Sequence, residues 1–202
     1  MSKELEMARE LVKILEAQEN TSRVELSKVG IGEIINANGN KYKVLDHFED
    51  GTTLIVSDKL MLENTKFDSD SRDYNKSSLK KKIEDNCLPV FGKDFGKDNL
   101  VEHEVDLTSV DMQNEFGKCR CKVRPLTFDE ARKYNDLLVK KALKDYYWTL
   151  TPWSTKERGW TYSITVVSPS GYFNYLNHFD FYDYVGVRPV CILKSNIFVS
   201  VE

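Results

Sequence analysis

The sequence predicts an α+β protein with small antiparallel sheets, two or more helices and an N-terminal helical extension. Three observations carry that expectation. Asn38-Gly39 and Asp50-Gly51 lie between β-prone runs, and both dipeptides suit tight turns because they tolerate positive φ. Residues 2–19 repeat apolar side chains at helical spacing, and a second helix carries its own start signal at Thr127. From Tyr146 onward the chain is rich in aromatic and β-branched residues punctuated by Gly and Pro, the composition of strands and exposed loops.

Taken in order, Leu5, Ala8, Leu11, Val12 and Leu15 form the apolar stripe of the first helix, with Glu, Lys and Arg on its other faces. That stripe needs a cover, either the core of the same domain or a partner in an oligomer. The runs in "IGEIINANGNKYKVLDHF" and "TTLIVSDKLML" then predict an antiparallel meander. "SLKKKIEDNCL" reads as a short helix that turns Leu79, Ile83 and Leu88 to the core, followed by a Gly- and Lys-rich connector, "FGKDFGKDN". Val101, Val105 and Leu107 indicate another strand, and residues 108–125 follow no clear pattern. Thr127 and Glu130 make a capping box, which predicts a helix near 128–142. "YYWTLTPW", "GWTYSITVVSPSG" and "VGVRPVCILKS" read as strands. With no repeat or compositional break, residues 1–22 are expected to be a helical extension and residues 23–202 one domain.

The 202 residues carry 32 acidic and 29 basic side chains, a net charge of −3, so no overall field draws the chain to nucleic acid or an anionic membrane. No stretch approaches the roughly 20 apolar residues that a membrane-spanning helix needs, and the first twenty residues lack the apolar core of a secretory signal. Synthesis in the cytosol is the expectation. Cys87, Cys119, Cys121 and Cys191 read as reduced thiols, and Cys119-Arg120-Cys121 lacks a second ligand pair for zinc. With His47, His103 and His178 scattered, neither a metal site, a cofactor nor a catalytic constellation is expected.

The stretch "GYFNYLNHFDFYDYVGVRP" places seven aromatic residues within residues 172–184 and puts Asn174, Asn177, Asp180 and Asp183 between them at intervals of three. Helix formers are nearly absent, and a three-residue period does not match the two-residue alternation of a strand. Short strand pieces joined by exposed turns fit better. Tyr supplies broad contact area with few rotors, while Asn and Asp supply adaptable hydrogen bonds, which is the chemistry of a contact surface. Of the rings, Phe179 and Phe181 are expected to be the most buried.

The order "LTFDEARKY", "YYWTLTPW", "VVSPSG", the Tyr/Asn/Asp tract and "GVRPVCIL" resembles the C-type-lectin-like fold of the formylglycine-generating-enzyme type, as found in the variable proteins of diversity-generating retroelements of phages and gut bacteria. The resemblance covers roughly residues 70–194, and its most specific piece pairs Trp148–Trp153 with Gly186–Pro189. In that family, error-prone copying at adenines lets Asn codons that end in a pyrimidine yield Tyr, Phe, Asn, Asp, His, Leu and Ser, but never Lys, Glu, Gln, Met or Trp. Residues 172–184 contain only members of the permitted set. The resemblance implies a variable region over about 160–189. Within it, Tyr172, Phe173, Asn174, Tyr175, Asn177, His178, Asp180, Tyr182, Asp183 and Tyr184 would be ligand-facing, with Tyr162 and Ser163 as additions. Trp148, Pro152, Gly171, Gly186, Arg188 and Pro189 would be scaffold, with Arg188 bonded to carbonyls or a carboxylate beneath the site.

The partner implied is a protein or cell-surface ligand, and the setting implied includes a virion surface and a homo-oligomer. The calcium motifs Glu-Pro-Asn and Trp-Asn-Asp of animal C-type lectins are absent. Two alternatives stand beside this non-enzymatic reading. One is an oxidase of the formylglycine-generating type, with Cys121 and Cys191 as the cysteine pair; the other is a structural protein that self-associates through the tract.

Overall fold

The computed structural model describes residues 5–7, 9–10, 23–140 and 142–202. The first two stretches are helical, with Leu5 and Met7 exposed, and the remaining residues of the predicted first helix, Ala8, Leu11, Val12 and Leu15 among them, lie outside the described residues.

Asn38 (φ 51°) and Gly39 (φ 83°) form the two-residue turn that joins Ile34–Ala37 (β2) to Asn40–His47 (β3). Gly51 (φ 78°) closes the next turn, with Asp50 Oδ1 accepting from the Thr52 amide, and Thr52–Ser57 (β4) follows. These local signals build the middle of a seven-stranded antiparallel sheet. Arg23–Glu25 (β1) pairs with Phe198–Val201 (β13), which joins β2; on the other side of β4 come Val190–Lys194 (β12) and Val123–Arg124 (β7). The sheet is therefore larger than the small ones expected. β13 and β1 are additions to the predicted meander, and β7 comes from the unpatterned residues 108–125.

A four-stranded sheet runs Phe173–Asn177 (β10), Ser163–Val167 (β9), Tyr146–Pro152 (β8) and Val185–Gly186 (β11). Its neighbours are antiparallel except for the β8–β11 pair. His103–Asp106 (β5) and Lys118–Cys121 (β6) make a separate two-stranded ribbon.

Ser78–Phe95 (α1) outruns the short helix expected from the sequence and absorbs half of the supposed connector. Ile83, Cys87, Phe91 and Phe95 recur every fourth residue and are all buried, whereas Leu88 is only half-buried. Burying two phenylalanines against Tyr42, at ring distances of 5.0 and 4.9 Å, outweighs the lost hydrogen bond at Pro89, which faces solvent. The helix stops at Gly96 (φ 82°).

The capping box of Thr127 and Glu130 is present, but the helix that it starts is short: Phe128–Lys133 (α2) turns at Tyr134 into Asn135–Leu138 (α3). The Tyr134 phenol donates to Asp46 Oδ2 at 2.6 Å. The carbonyls of Leu137 and Leu138 accept from Lys43 Nζ and Arg188 Nη1, so side-chain cations take the place of further helical amides.

The four-stranded sheet is covered on both faces because alternate residues point to opposite sides. Trp148, Leu150, Ile164 and Val166 join the larger core, with Phe67, α1 and the ribbon. Tyr147 and Val167 join a second core with Leu45, Leu54, Val56 and residues of α2 and α3. The chain is thus an α+β fold dominated by sheet, and among the described residues no helix is long and apolar enough to cross a membrane.

A candidate recognition surface around the edge strand

Gly171 (φ 82°) turns the chain from β9 into β10, and a side chain there would meet Asn135 Oδ1 at 2.6 Å. β10 is a terminal strand of its sheet, paired with β9 alone. The Ser168 amide donates to the Tyr172 carbonyl and the His178 amide to the Tyr162 carbonyl, so in antiparallel pairing the amides of 173, 175 and 177 point away from the sheet. Two of these outward amides have partners from the tract itself. Asn174 Oδ1 accepts from the Tyr175 amide at 2.8 Å, and the Tyr182 hydroxyl accepts from the Asn177 amide at 3.3 Å. Side chains of the tract therefore occupy two of the three outward amides of its own edge, which weakens that edge as a template for adding another strand.

The loop after β10 is fixed by a small polar network. Asp180 Oδ2 accepts from Asn177 Nδ2 at 3.0 Å and from the Tyr182 hydroxyl at 3.1 Å. Burial, followed by the neighbouring Asp180, holds the Tyr182 phenol above its ordinary pKa, so it remains a donor.

Around this edge, rings fall into three groups. Tyr175 packs on Trp153 and Trp160 at 4.8 and 5.5 Å. Tyr162 meets Phe179 edge-on at 5.4 Å, with the His178 ring behind both. Tyr184 contacts Tyr182 and Tyr146, and Tyr182 in turn leans on buried Trp148. Phe173 packs against Phe128 at 5.1 Å and anchors the strand to α2.

Of the residues implied by the resemblance, Tyr162, Tyr172, Tyr175, Asp183 and Tyr184 are exposed, and Phe173, Asn174, Asn177, Asp180 and Tyr182 are half-buried. Ser163 and His178 are corrections: they are 3% and 4% exposed and belong to the interior. Ser163 lies on β9 between its two neighbouring strands, and its carbonyl accepts from the Trp153 amide. The His178 carbonyl accepts from the Asp68 amide, and burial lowers the pKa of its ring. The expectation for the phenylalanines is half reversed, because Phe179 is partly covered by Tyr162 whereas Phe181 is 67% exposed. Trp153 and Trp160 were not among the residues picked from the sequence. Their clustering near the tract was the available signal.

The scaffold residues behave as framework. Trp148 is fully buried and donates from Nε1 to the Thr65 carbonyl at 2.6 Å. Arg188, also fully buried, bonds the carbonyls of Ser57 and Leu138 and lies over the Tyr147 ring. Gly186 is required because a Cβ there would stand 2.4 Å from the Leu62 carbonyl oxygen.

The cysteines of the oxidase alternative have different surroundings. Cys121 is buried at the end of β6 in the two-stranded ribbon, whereas Cys191 sits within β12 of the large sheet and donates to the Ile192 carbonyl. Among the described residues no group of three or more His, Cys, Asp or Glu side chains is placed to hold a metal ion. No protein-family model, no curated protein and no solved structure matches the chain.

Proposed function

We propose that the protein is a recognition protein in which a C-type-lectin-like scaffold displays the tract from 172 to 184, diversified by a retroelement, to a cell-surface or protein target. One observation carries the reading: none of the seven aromatic side chains of the tract is sealed inside, while every residue of the segment that follows, 185–190, is buried. Positions with solvent access accept substitution at little cost to the core, and a buried flank holds them in place. Rigid aromatic side chains with adjacent Asn and Asp match the make-up of surfaces that bind many targets. A phage receptor-binding or virion-surface component is the setting that suits such a surface.

The test is the DNA beside the gene together with binding. The reading expects a near-copy of the codons for about 160–189 that differs at adenines, accompanied by a reverse transcriptase. It also expects that scrambling residues 172–184 abolishes binding to target cells while the melting transition persists. A gene with no such repeat, and a scrambled protein that binds as before, would defeat it.

A further inference from the structure

Away from the aromatic tract, α1 has a second stripe beside the one that it buries. Ile83, Cys87 and Phe91 enter the core, and one position further along the chain Glu84, Leu88 and Gly92 share a neighbouring face. Glu84 and Leu88 of this face, with Pro89, form one wall of a cavity of about 580 Å3. The other walls come from Lys97 and Leu100, which follow the helix, and from residues 120–123, where β6 passes into β7. Leu88, expected from the sequence to face the core, is half-buried and lines this cavity. Leu100 and Val123 add buried apolar surface, and β12 fixes both, since Leu100 bridges Leu193 and Val123 pairs with Cys191. An apolar lining with a few polar groups, at this volume, is the make-up of a small-molecule site.

The charges around the cavity are unevenly matched. Glu84 lies 3.8 Å from Lys80, and Glu102 lies 3.5 Å from Arg120, so both acids have a cation. Lys97 and Lys122 pair with no carboxylate among the described residues; Lys122 Nζ instead donates to the Lys97 carbonyl at 3.4 Å, which draws the two together. A Cβ at Gly92 would stand 3.0 Å from Lys97 Cγ, so the bare glycine lets the Lys97 stem lie close against the helix. The cavity therefore offers apolar contact from Leu88, Pro89, Leu100 and Val123 beside two uncompensated ammonium groups. Glu84 and Glu102, on the same rim, disfavour an anion of higher charge such as a phosphate.

We propose that this cavity binds a small monocarboxylate with an apolar body, an acyl chain or an aromatic ring, and that Lys97 and Lys122 hold its carboxylate. The apolar body supplies affinity through the surface that it removes from water, and the ammonium groups select the charge. The site shares no residue with the aromatic surface and does not depend on what that surface binds.

The experiment is a titration of the 15N-labelled full chain, followed by amide NMR shifts, with octanoate, 3-phenylpropanoate and the uncharged 1-octanol. At least one of the two acids should bind saturably, with a Kd of about 1 mM or tighter, as ligands of this size reach. Its shifts should centre on residues 88, 97, 100, 122 and 123, and tighter binding by one acid tells whether chain or ring is the preferred body. 1-Octanol should bind about tenfold more weakly than octanoate, and Lys97→Glu with Lys122→Glu should weaken the acid by at least about tenfold. If the double variant does not fold, the comparison of acid with alcohol on the wild type decides. Shifts with neither acid, equal binding of octanol and octanoate, an unchanged Kd in the folded double variant, or shifts centred on another part of the chain would overturn the proposal.

Discussion

Replacing Glu130 by glutamine removes one charge while keeping the volume and shape of a side chain that secures the start of α2. Arg124 is almost wholly buried and donates to both Glu130 carboxylate oxygens at 2.6 Å, to His103 Nε2 at 2.7 Å and to the Pro125 carbonyl at 3.0 Å. In Glu130→Gln the guanidinium keeps the last two acceptors but faces an amide that can offer only one oxygen. Leaving a buried charge without its counterion costs about 3–5 kcal/mol, and the remaining acceptors place this case near 3. For a chain of this size, that corresponds to a fall in melting temperature of roughly 6–12 °C. Burial opposes ionisation of Glu130, yet the charge and hydrogen bonds of Arg124, with the Thr127 amide, hold its pKa below the ordinary 4.5. A carboxylate with a depressed folded pKa stabilises the fold above its unfolded value, and that contribution disappears as the pH falls through the folded value. Calorimetric melts should therefore show the full gap at pH 7 and a shrinking gap below about pH 4.5. A variant that melts within a degree or two of wild type at pH 7, or a gap independent of pH, would refute the reasoning.

Two further substitutions test the framework beneath the tract. Trp148→Phe loses the Nε1 bond to the Thr65 carbonyl and part of a fully buried ring, and should cost about 2–4 kcal/mol in urea unfolding; less than about 1 kcal/mol would contradict the placement of this ring. Gly186→Ala drives a methyl group into the Leu62 carbonyl at 2.4 Å, a clash with backbone that should lower stability by more than about 2 kcal/mol, seen as a lower urea midpoint. An alanine variant as stable as wild type would show that the close approach is not needed.

What could be read from the sequence was what local chemistry decides. Asn38-Gly39, Asp50-Gly51 and the Thr127–Glu130 box each act within four residues, and each forms as expected. The pairing of β1 with β13, and of β7 with β12, joins segments that are far apart in the chain, and short strands carry little pattern to announce a distant partner. α1 was underestimated because Pro89 and Gly92 mimic an ending, whereas Phe91 and Phe95 have a core to fill. The character of the tract was legible as short strand plus loop. Its division into outward and inward side chains was not, because Ser163 and His178 are covered by neighbouring strands and by the Asp68 loop, and Tyr175 finds its ring partners at Trp153 and Trp160, away from the tract.

The central claim is that the tract faces solvent on a rigid frame, and hydroxyl-radical footprinting of the native protein, read residue by residue by mass spectrometry, tests it most directly. Tyr162, Tyr172, Phe181 and Tyr184, between 41% and 67% exposed, should be labelled rapidly, while Tyr42, Tyr74 and Tyr147, at most 1% exposed, should stay protected until the protein unfolds. Protection of the first group to the level of the second would contradict the account.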